Sequence, residues 1–460
     1  MIPPRKIFGT DGVRGTANVP PVTAETALKL GRAAAHVFKT LNAQARDRGK
    51  HKIVIGKDTR LSGYMLENAI SSGILSMGVD VLFIGPLPTP GVAYITRSLR
   101  ADAGIVITAS HNPYTDNGIK FFRADGYKLD DQIESRIENL VFSGQIENVR
   151  PAPGEIGKAI RIDDALGRYI EFAKAGFPKQ LTLENLRIVV DCANGAAYKS
   201  TPCVLRELGA EVILLGNQPD GTNINEQCGS MFPENLCREV IAHNAHLGIA
   251  HDGDADRVLL CDENGRLADG DDIMAVAALD MLAGGTLAAK TLVATVMSNA
   301  GLDAAVKKGG GSVIRAAVGD KNVIDEMLKG GFNFGGEQSG HLIFRDYATT
   351  GDGLVSALQI LRIMRQKNAP LSRLAQCWSR FPQLVTNVKV REKIPFENLD
   401  GVLKLVASAE NELTAAGGRV LLRYSGTEPK ARLLLEGNDR AVLEKWSKQI
   451  CAAIQNQIGA

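Results

Sequence analysis

The chain has 460 residues, too many for one compact core and enough for roughly three or four domains. Lys plus Arg number 53 against 51 Asp plus Glu, and the resulting net charge of +2 excludes a broad electrostatic surface for nucleic acid or an anionic membrane. Seven scattered cysteines, none spaced as CxxC, no apolar leader and no run near about eighteen apolar residues predict a soluble, cytoplasmic protein with no disulfide framework, zinc cluster or membrane span.

In chain order, one pattern recurs three times. The first copy reads IVIGKDTRLSG (53–63), a helical segment, then GVDVLFIG (78–85). The second reads LRIVVDCANGAAY (186–198), a helix, then GAEVILLG (209–216). The third reads TLVATVMSNAG (291–301), a helix, then GGSVIRAAVG (310–319). Each is strand, turn, helix, glycine, strand: a βαβ unit with parallel strands. Each copy continues through a further helix into a short strand, a polar loop and another strand. Those loops are TASHNPYTDNG (108–118), HDGDADR (251–257) and GGEQSGH (335–341), so the three most polar loops occupy one station of three similar units and could serve one ligand in a common cleft. Candidate linkers lie at RPAPGEIG (150–157), near DENGR (262–266) and at QKNAPLS (366–372). From about Trp378 the pattern changes to strand, helix, strand, loop, strand, helix, a separate small α+β domain. The expected fold class is therefore α/β: three similar α/β domains with mixed sheets (1–158, 159–262 and 263–372) and a C-terminal α+β domain (373–460), arranged around a central cleft.

Ser110 follows a buried-strand pattern and stands on a loop punctuated by Pro113 and Gly118, where α/β proteins keep their chemistry. A turn whose Ser and Asn side chains only cap their own backbone would look similar. Asp252, Asp254 and Asp256 place three carboxylates within five residues. Two such charges about 4 Å apart repel by roughly 4 kcal/mol at an effective dielectric of 20, so converging aspartates need a cation or must protonate; hard oxygens suit Mg²⁺ or Ca²⁺, and a solvated turn is the plain alternative. An EF-hand is disfavoured because Arg257 stands where that loop needs glycine. Glu337 and Ser339 suit a polyol, although the glycines around them could equally mark a strained turn with no ligand, and His341 could shuttle a proton or be an ordinary core histidine. In RYSGTEPKAR, Arg423, Ser425, Gly426, Thr427 and Arg432 match the geometry of a phosphate, or form a surface turn with incidental arginines. No GxSxG elbow is present, and GGTLAAKT (284–291) lacks the glycine before lysine of a P-loop, so hydrolase and ATP-dependent chemistry are disfavoured. A serine, a divalent cation, a polyol loop and a phosphate clamp are what phosphoryl exchange with a sugar phosphate requires.

The strings FGTDGVRG, TASHNPYTDNGIK, DGDADR, GGEQSGH and RYSGTEPKAR, in that order over almost the whole chain, resemble the α-D-phosphohexomutase superfamily. DCANGAAY, TVMSNAGL and TTGDGL are similar to its phosphoglucosamine mutase branch. The resemblance implies four domains around a cleft, Ser110 carried as phosphoserine, and one Mg²⁺ held by Asp252, Asp254, Asp256 and an oxygen on Ser110. It implies interconversion of glucosamine 6-phosphate and glucosamine 1-phosphate through a bound glucosamine 1,6-bisphosphate, for UDP-N-acetylglucosamine synthesis. Glu337 and Ser339 would hold sugar hydroxyls, and Arg423, Ser425, Gly426, Thr427 and Arg432 the phosphate that is not reacting. Arg257 and Lys120 would offset charge at the transferring group. Lys120 is the candidate for proton transfer, with His111 and His341 as rivals and a fixed counter-charge as its other reading. Arg14 and Arg60 are expected to line the cleft. The partner is a small hexosamine phosphate, not nucleic acid or membrane, and a homodimer is left open. A phosphoglucomutase/phosphomannomutase, or a non-catalytic metal-dependent sugar-phosphate binder, are the alternatives. Ala255 departs from a glycine common in the family, and GDKNV (319–323) from an arginine-containing string, which leaves phosphate contacts there open.

Overall fold

The computed structural model describes residues 7–9, 11–41, 50–415, 417–425 and 429–460. They form two compact units, Met1–Val296 with Ile314–Ala375, and Met297–Val313 with Gln376–Ala460.

The first sheet is built from β1 (Val13–Thr16), β2 (Lys52–Lys57), β3 (Asp80–Pro86), β4 (Ala103–Ile107), β5 (Asp116–Arg123) and β6 (Ala159–Arg161). The second comprises β7 (Arg187–Asp191), β8 (Glu211–Leu215), β9 (Leu247–His251), β10 (Val258–Asp262) and β11 (Leu267–Ala268). The third comprises β12 (Thr291–Thr295), β13 (Ser312–Ala316), β14 (Phe334–Gly336) and β15 (Leu342–Phe344). Their strand orders contain one motif three times: β5-β4-β2-β3, β10-β9-β7-β8 and β15-β14-β12-β13.

The middle pairs are parallel, β2 with β4, β7 with β9 and β12 with β14. The outer pairs are antiparallel, β4 with β5, β9 with β10 and β14 with β15. Each of the three polar loops therefore joins an antiparallel pair at the same place in a repeated mixed sheet, as the recurrence in the sequence predicts. β4 (AGIVI) and β9 are buried along their whole length, because layers on both sides of an interior strand leave no residue for water. Just beyond residue 158, β6 adds to the edge of the first sheet beside β3, and just beyond residue 262, β11 closes back on β10.

The second unit holds an antiparallel sheet of order β16-β18-β17, with β16 (Gln383–Lys389), β17 (Arg419–Tyr424) and β18 (Lys430–Glu436). Helices Asp400–Thr414 and Arg440–Ile458 pack on one face through Val402, Leu413, Leu443 and Ile450 against Leu433 and Leu435. The segment Met297–Val313, which links β12 to β13 of the third repeat, packs with this tail. Asn299 exchanges two 2.9 Å bonds with the backbone of Phe381, and Glu436 accepts from the amide of Ala300 at 3.2 Å. Among the described residues no helix is long and apolar enough to cross a membrane.

Candidate active site

The loop from β4 to β5 carries Ser110 at a left-handed φ of +52° and almost without solvent exposure. Its amide donates to Thr108 Oγ1 at 3.0 Å, and Thr108 in turn donates to Asp58 at 2.7 Å. Asn112 Nδ2 bonds Asp116 Oδ2 at 2.9 Å, and Asn117 Oδ1 accepts from the amide of Gly118 at 2.8 Å. The loop's asparagines thus do shape its own turn, and that turn aims the serine. Ser110 Oγ donates to Asp252 Oδ2 at 2.6 Å and stands 3.4 Å from His111 Nδ1.

Asp252, Asp254 and Asp256 are all buried, with carboxylate oxygens within 4.8 Å of one another. Burial, reinforced by Asp256 and Asp254, pushes the Asp252 carboxyl well above the usual range. Asp254 Oδ2 accepts from Thr89 Oγ1 at 2.7 Å and from Lys120 Nζ at 3.0 Å. Asp254 Oδ1 and Asp256 Oδ1 are buried and have no hydrogen-bond partner among the described residues. Carboxylate oxygens left bare inside a protein cost several kcal/mol each unless a cation satisfies them. The donor set, all hard oxygen, fits Mg²⁺ or Ca²⁺. β10 begins at Val258, directly after the loop, so no EF-hand helix follows. Ala255 holds φ +56°, the conformation that glycine takes without cost.

The cationic side comes from β5 and the neighbouring loops. Lys120 is buried with Nζ 3.0 Å from Asp11 Oδ2, 3.0 Å from Asp254 Oδ2 and 3.8 Å from Asp256 Oδ2. Burial pulls its ammonium toward the neutral form, but Asp11 and Asp254 outweigh that and hold its pKa above the ordinary value. Arg14 pairs with Asp11, and Arg257 Nε lies 4.0 Å from Asp256 Oδ1 with no hydrogen-bond partner among the described residues. Burial, then Arg257 and Arg14, lowers the His111 pKa to about 4. His341 lies between Asp256 (3.6 Å) and Asp320 (3.7 Å), which raise its pKa against burial. Its Nε2 also accepts from the amide of Gly351 at 3.2 Å, a bond that favours the tautomer with the proton on Nδ1, toward Asp256.

The third loop meets the second through the backbone. Arg257 and His341 form an antiparallel bridge, and Val258 donates to Gly340 O at 3.0 Å. Gly340 has φ +90°, and a Cβ there would run into the Val258 carbonyl, so only glycine permits the approach. Glu337 is nearly buried and accepts from the amide of Gly319 at 3.0 Å, whereas Ser339 is exposed.

Arg423 and Arg432 face each other across β17 and β18, with Asn387 beside Arg432 on β16. Together with Met297 they line a pocket of about 190 Å³. Burial and then the neighbouring Arg432 guanidinium lower the Arg423 pKa. Ser425 is buried, and its carbonyl accepts from Lys393 at 2.6 Å. Gly426 and Thr427 lie outside the described residues.

The structure thus brings Ser110, His111, Lys120, the three aspartates, Arg257 and His341 together, with Glu337 on the adjoining loop. Sequence reasoning missed Asp11, Thr89 and Asp320. Asp11 lies within FGTDGVRG and Asp320 within GDKNV, but only contacts through space give them roles.

Comparison with known proteins covers the whole chain. The phosphoglucomutase/phosphomannomutase alpha/beta/alpha domains I, II and III match residues 5–147, 167–265 and 269–381, and the C-terminal domain of that family matches 385–453. The phosphoglucosamine mutase of Syntrophotalea carbinolica is 57% identical over 455 residues, covering 99% of this chain and 98% of its own. That of Geotalea uraniireducens is 58% identical, covering 99% of both. Among solved structures, a phosphoglucomutase/phosphomannomutase family protein from Burkholderia thailandensis superposes with a TM-score of 0.79 at 25% identity, covering 99% of each chain. The Aspergillus fumigatus N-acetylphosphoglucosamine mutase, solved with GlcNAc-6P and magnesium, shares the fold with a TM-score of 0.68 at 17% identity, covering 98% of this chain and 96% of that one.

Proposed function

The chain belongs to the phosphoglucomutase/phosphomannomutase family, whose members are intramolecular phosphotransferases, and from that premise we propose that it interconverts glucosamine 6-phosphate and glucosamine 1-phosphate. The observation that carries the reading is the 2.6 Å approach of Ser110 Oγ to Asp252 within a cluster of three buried aspartates. The substrate follows from the names of relatives more than half identical over their full length.

In this reading Ser110 carries a phosphoryl group. Its P–O bond to Oγ breaks as a new P–O bond forms to the free hydroxyl of the sugar phosphate, whose proton leaves to a base. The resulting glucosamine 1,6-bisphosphate reorients, and its other phosphoryl group returns to Ser110 Oγ as a proton goes back to the freed sugar oxygen. Both half-reactions balance without a nucleotide. Asp252, Asp254 and Asp256 would hold Mg²⁺ together with an oxygen on Ser110. When bound, the cation offsets the charge of roughly −1.5 to −2 that a phosphoseryl group carries. Lys120 and Arg257 supply further fixed positive charge; Lys120, His111 and His341 are the candidates for the proton, and Lys120 must first lose the charge that Asp11 and Asp254 hold on it. Glu337 and Ser339 bind sugar hydroxyls, and Arg423, Ser425, Gly426, Thr427 and Arg432 bind the phosphate at rest. The product would supply UDP-N-acetylglucosamine synthesis in the cytoplasm.

Intact-protein mass spectrometry after treatment with a hexose 1,6-bisphosphate should show a gain of about 80 Da, absent from Ser110→Ala. Turnover of glucosamine 6-phosphate should exceed that of glucose 6-phosphate. A preference for glucose or mannose phosphate would overturn the substrate, and a protein that never gains phosphate would overturn the carrier mechanism.

A further inference from the structure

A left-handed turn costs a residue such as Ser110 about 1–2 kcal/mol, which bonds from outside the loop offset together with the loop's own. Two neighbouring carbonyls show what does. Nη2 of Arg60 donates to Ser110 O at 2.9 Å and to Asn112 O at 2.8 Å. Nδ2 of Asn225 donates to the same two oxygens, at 2.9 and 3.0 Å. Each nitrogen bears two hydrogens, so each is fully spent on this pair. Arg60 Nε goes to Asp58 at 2.8 Å, and Nη1 goes to the carbonyls of Asp116 at 3.0 Å and of Pro113. All five guanidinium hydrogens are therefore committed to Asp58 and the serine loop, and none is left for a phosphate. Arg60, expected from the sequence to line the cleft, is buried behind it.

Asn225 reaches this point from the excursion after β8, 115 positions along the chain from Ser110. It is anchored by its own amide on Ala193 O at 2.9 Å, and Leu61 N bonds Gly221 O of the same excursion at 2.8 Å. Gly253 of the aspartate loop approaches from another side. A Cβ there would lie 2.6 Å from Ser110 O and 2.8 Å from Asn225 Nδ2, closer than real contacts allow. The serine loop, the excursion and the aspartate loop thus converge on one carbonyl.

We propose that Asn225, with Arg60, is a positioning residue for Ser110. It holds the Ser110–Asn112 backbone in the turn from which Oγ reaches Asp252, and so ties the phosphate carrier of the first domain to the aspartates of the second. This rests on the mutase reading above.

Asn225→Gly tests it. Glycine accepts the residue's φ of +58° and removes the side chain with its amide. Asn225→Asp keeps the shape but turns an acceptor toward two carbonyls, and Arg60→Lys keeps charge with fewer donors. Each protein is treated with a hexose 1,6-bisphosphate, phosphate uptake at Ser110 is timed by intact mass, and kcat and KM are measured with glucosamine 6-phosphate. Asn225→Gly should slow uptake and kcat about 10- to 100-fold, the cost of a small misplacement of a reacting group, with Asn225→Asp slower still. KM should stay within about threefold, because no substrate contact is lost. Unchanged kcat overturns the proposal, as does a raised KM at constant kcat. So does a loss of stability in urea with full activity in the folded fraction, the signature of a merely structural role. A wild-type protein that takes up no phosphate would instead remove the mutase reading itself.

Discussion

Ser110 donates its hydroxyl to Asp252 Oδ2 across 2.6 Å, although the two residues stand 142 positions apart in the chain. They meet because each tops the same antiparallel step of a repeated sheet, and because glycine at 253 lets the two loops close to contact. A hydroxyl held against one of three crowded carboxylates suits an oxygen that gains and loses a phosphoryl group beside a divalent cation.

The bare oxygens Asp254 Oδ1 and Asp256 Oδ1 should make the fold cation-dependent. At about a hundred times its dissociation constant, Mg²⁺ should stabilise the protein by about 2.7 kcal/mol. Urea unfolding with added Mg²⁺ and with EDTA measures this, and Asp254→Asn should lose most of the difference. Superimposable curves for the native protein would count against the aspartates as ligands.

Lys120 should matter to both fold and turnover. Lys120→Met leaves Asp254 without its ammonium in a buried site, and breaking such a pair costs about 3–5 kcal/mol. Asp11 keeps Lys128 at 2.5 Å and Arg14, so the loss should fall at the lower end. Activity should drop about 10²- to 10⁴-fold. Lys120→Arg should recover more of the stability than of the activity, because a planar fork cannot take the place of a compact ammonium. Equal recovery of both would leave only the counter-charge role.

Ala255 stands at φ +56° between two of the aspartates. Ala255→Gly should keep Mg²⁺ affinity within about twofold, whereas Ala255→Val forces a β-branched residue into the left-handed region and should weaken it at least about tenfold. Isothermal titration with Mg²⁺ compares them. Valine binding as tightly as alanine would show that the backbone here does not set the carboxylate geometry.

Asp352 caps the helix Gly353–Lys367 through Val355 N at 3.0 Å and accepts the hydroxyl of Tyr169 at 3.0 Å. Burial pushes its pKa up from 3.8 to about 6, against both of those bonds. Between these values the folded protein keeps a proton that the unfolded chain has released. The stabilisation is therefore full below the lower value and is lost as the pH rises through the upper one, a change of about 3 kcal/mol. Asp352→Asn preserves the cap without the charge. Its unfolding free energy should vary less with pH over this range and should match or exceed the native value at pH 7. An unchanged pH slope would show that Asp352 titrates normally.

The sequence alone determined the repeated α/β architecture, the distinct tail, and the residues most able to do chemistry. Alternation of apolar runs with glycine-marked turns reports burial and chain reversal locally, and three aspartates within five residues repel wherever the fold buries them together. Only the tertiary structure decided what each donor is spent on. Arg60 reads as a cleft arginine until its five hydrogens are traced to Asp58 and four carbonyls. Asn225 carries no motif at all, because a backbone carbonyl presents the same acceptor in every residue and leaves no mark in the sequence of its partner.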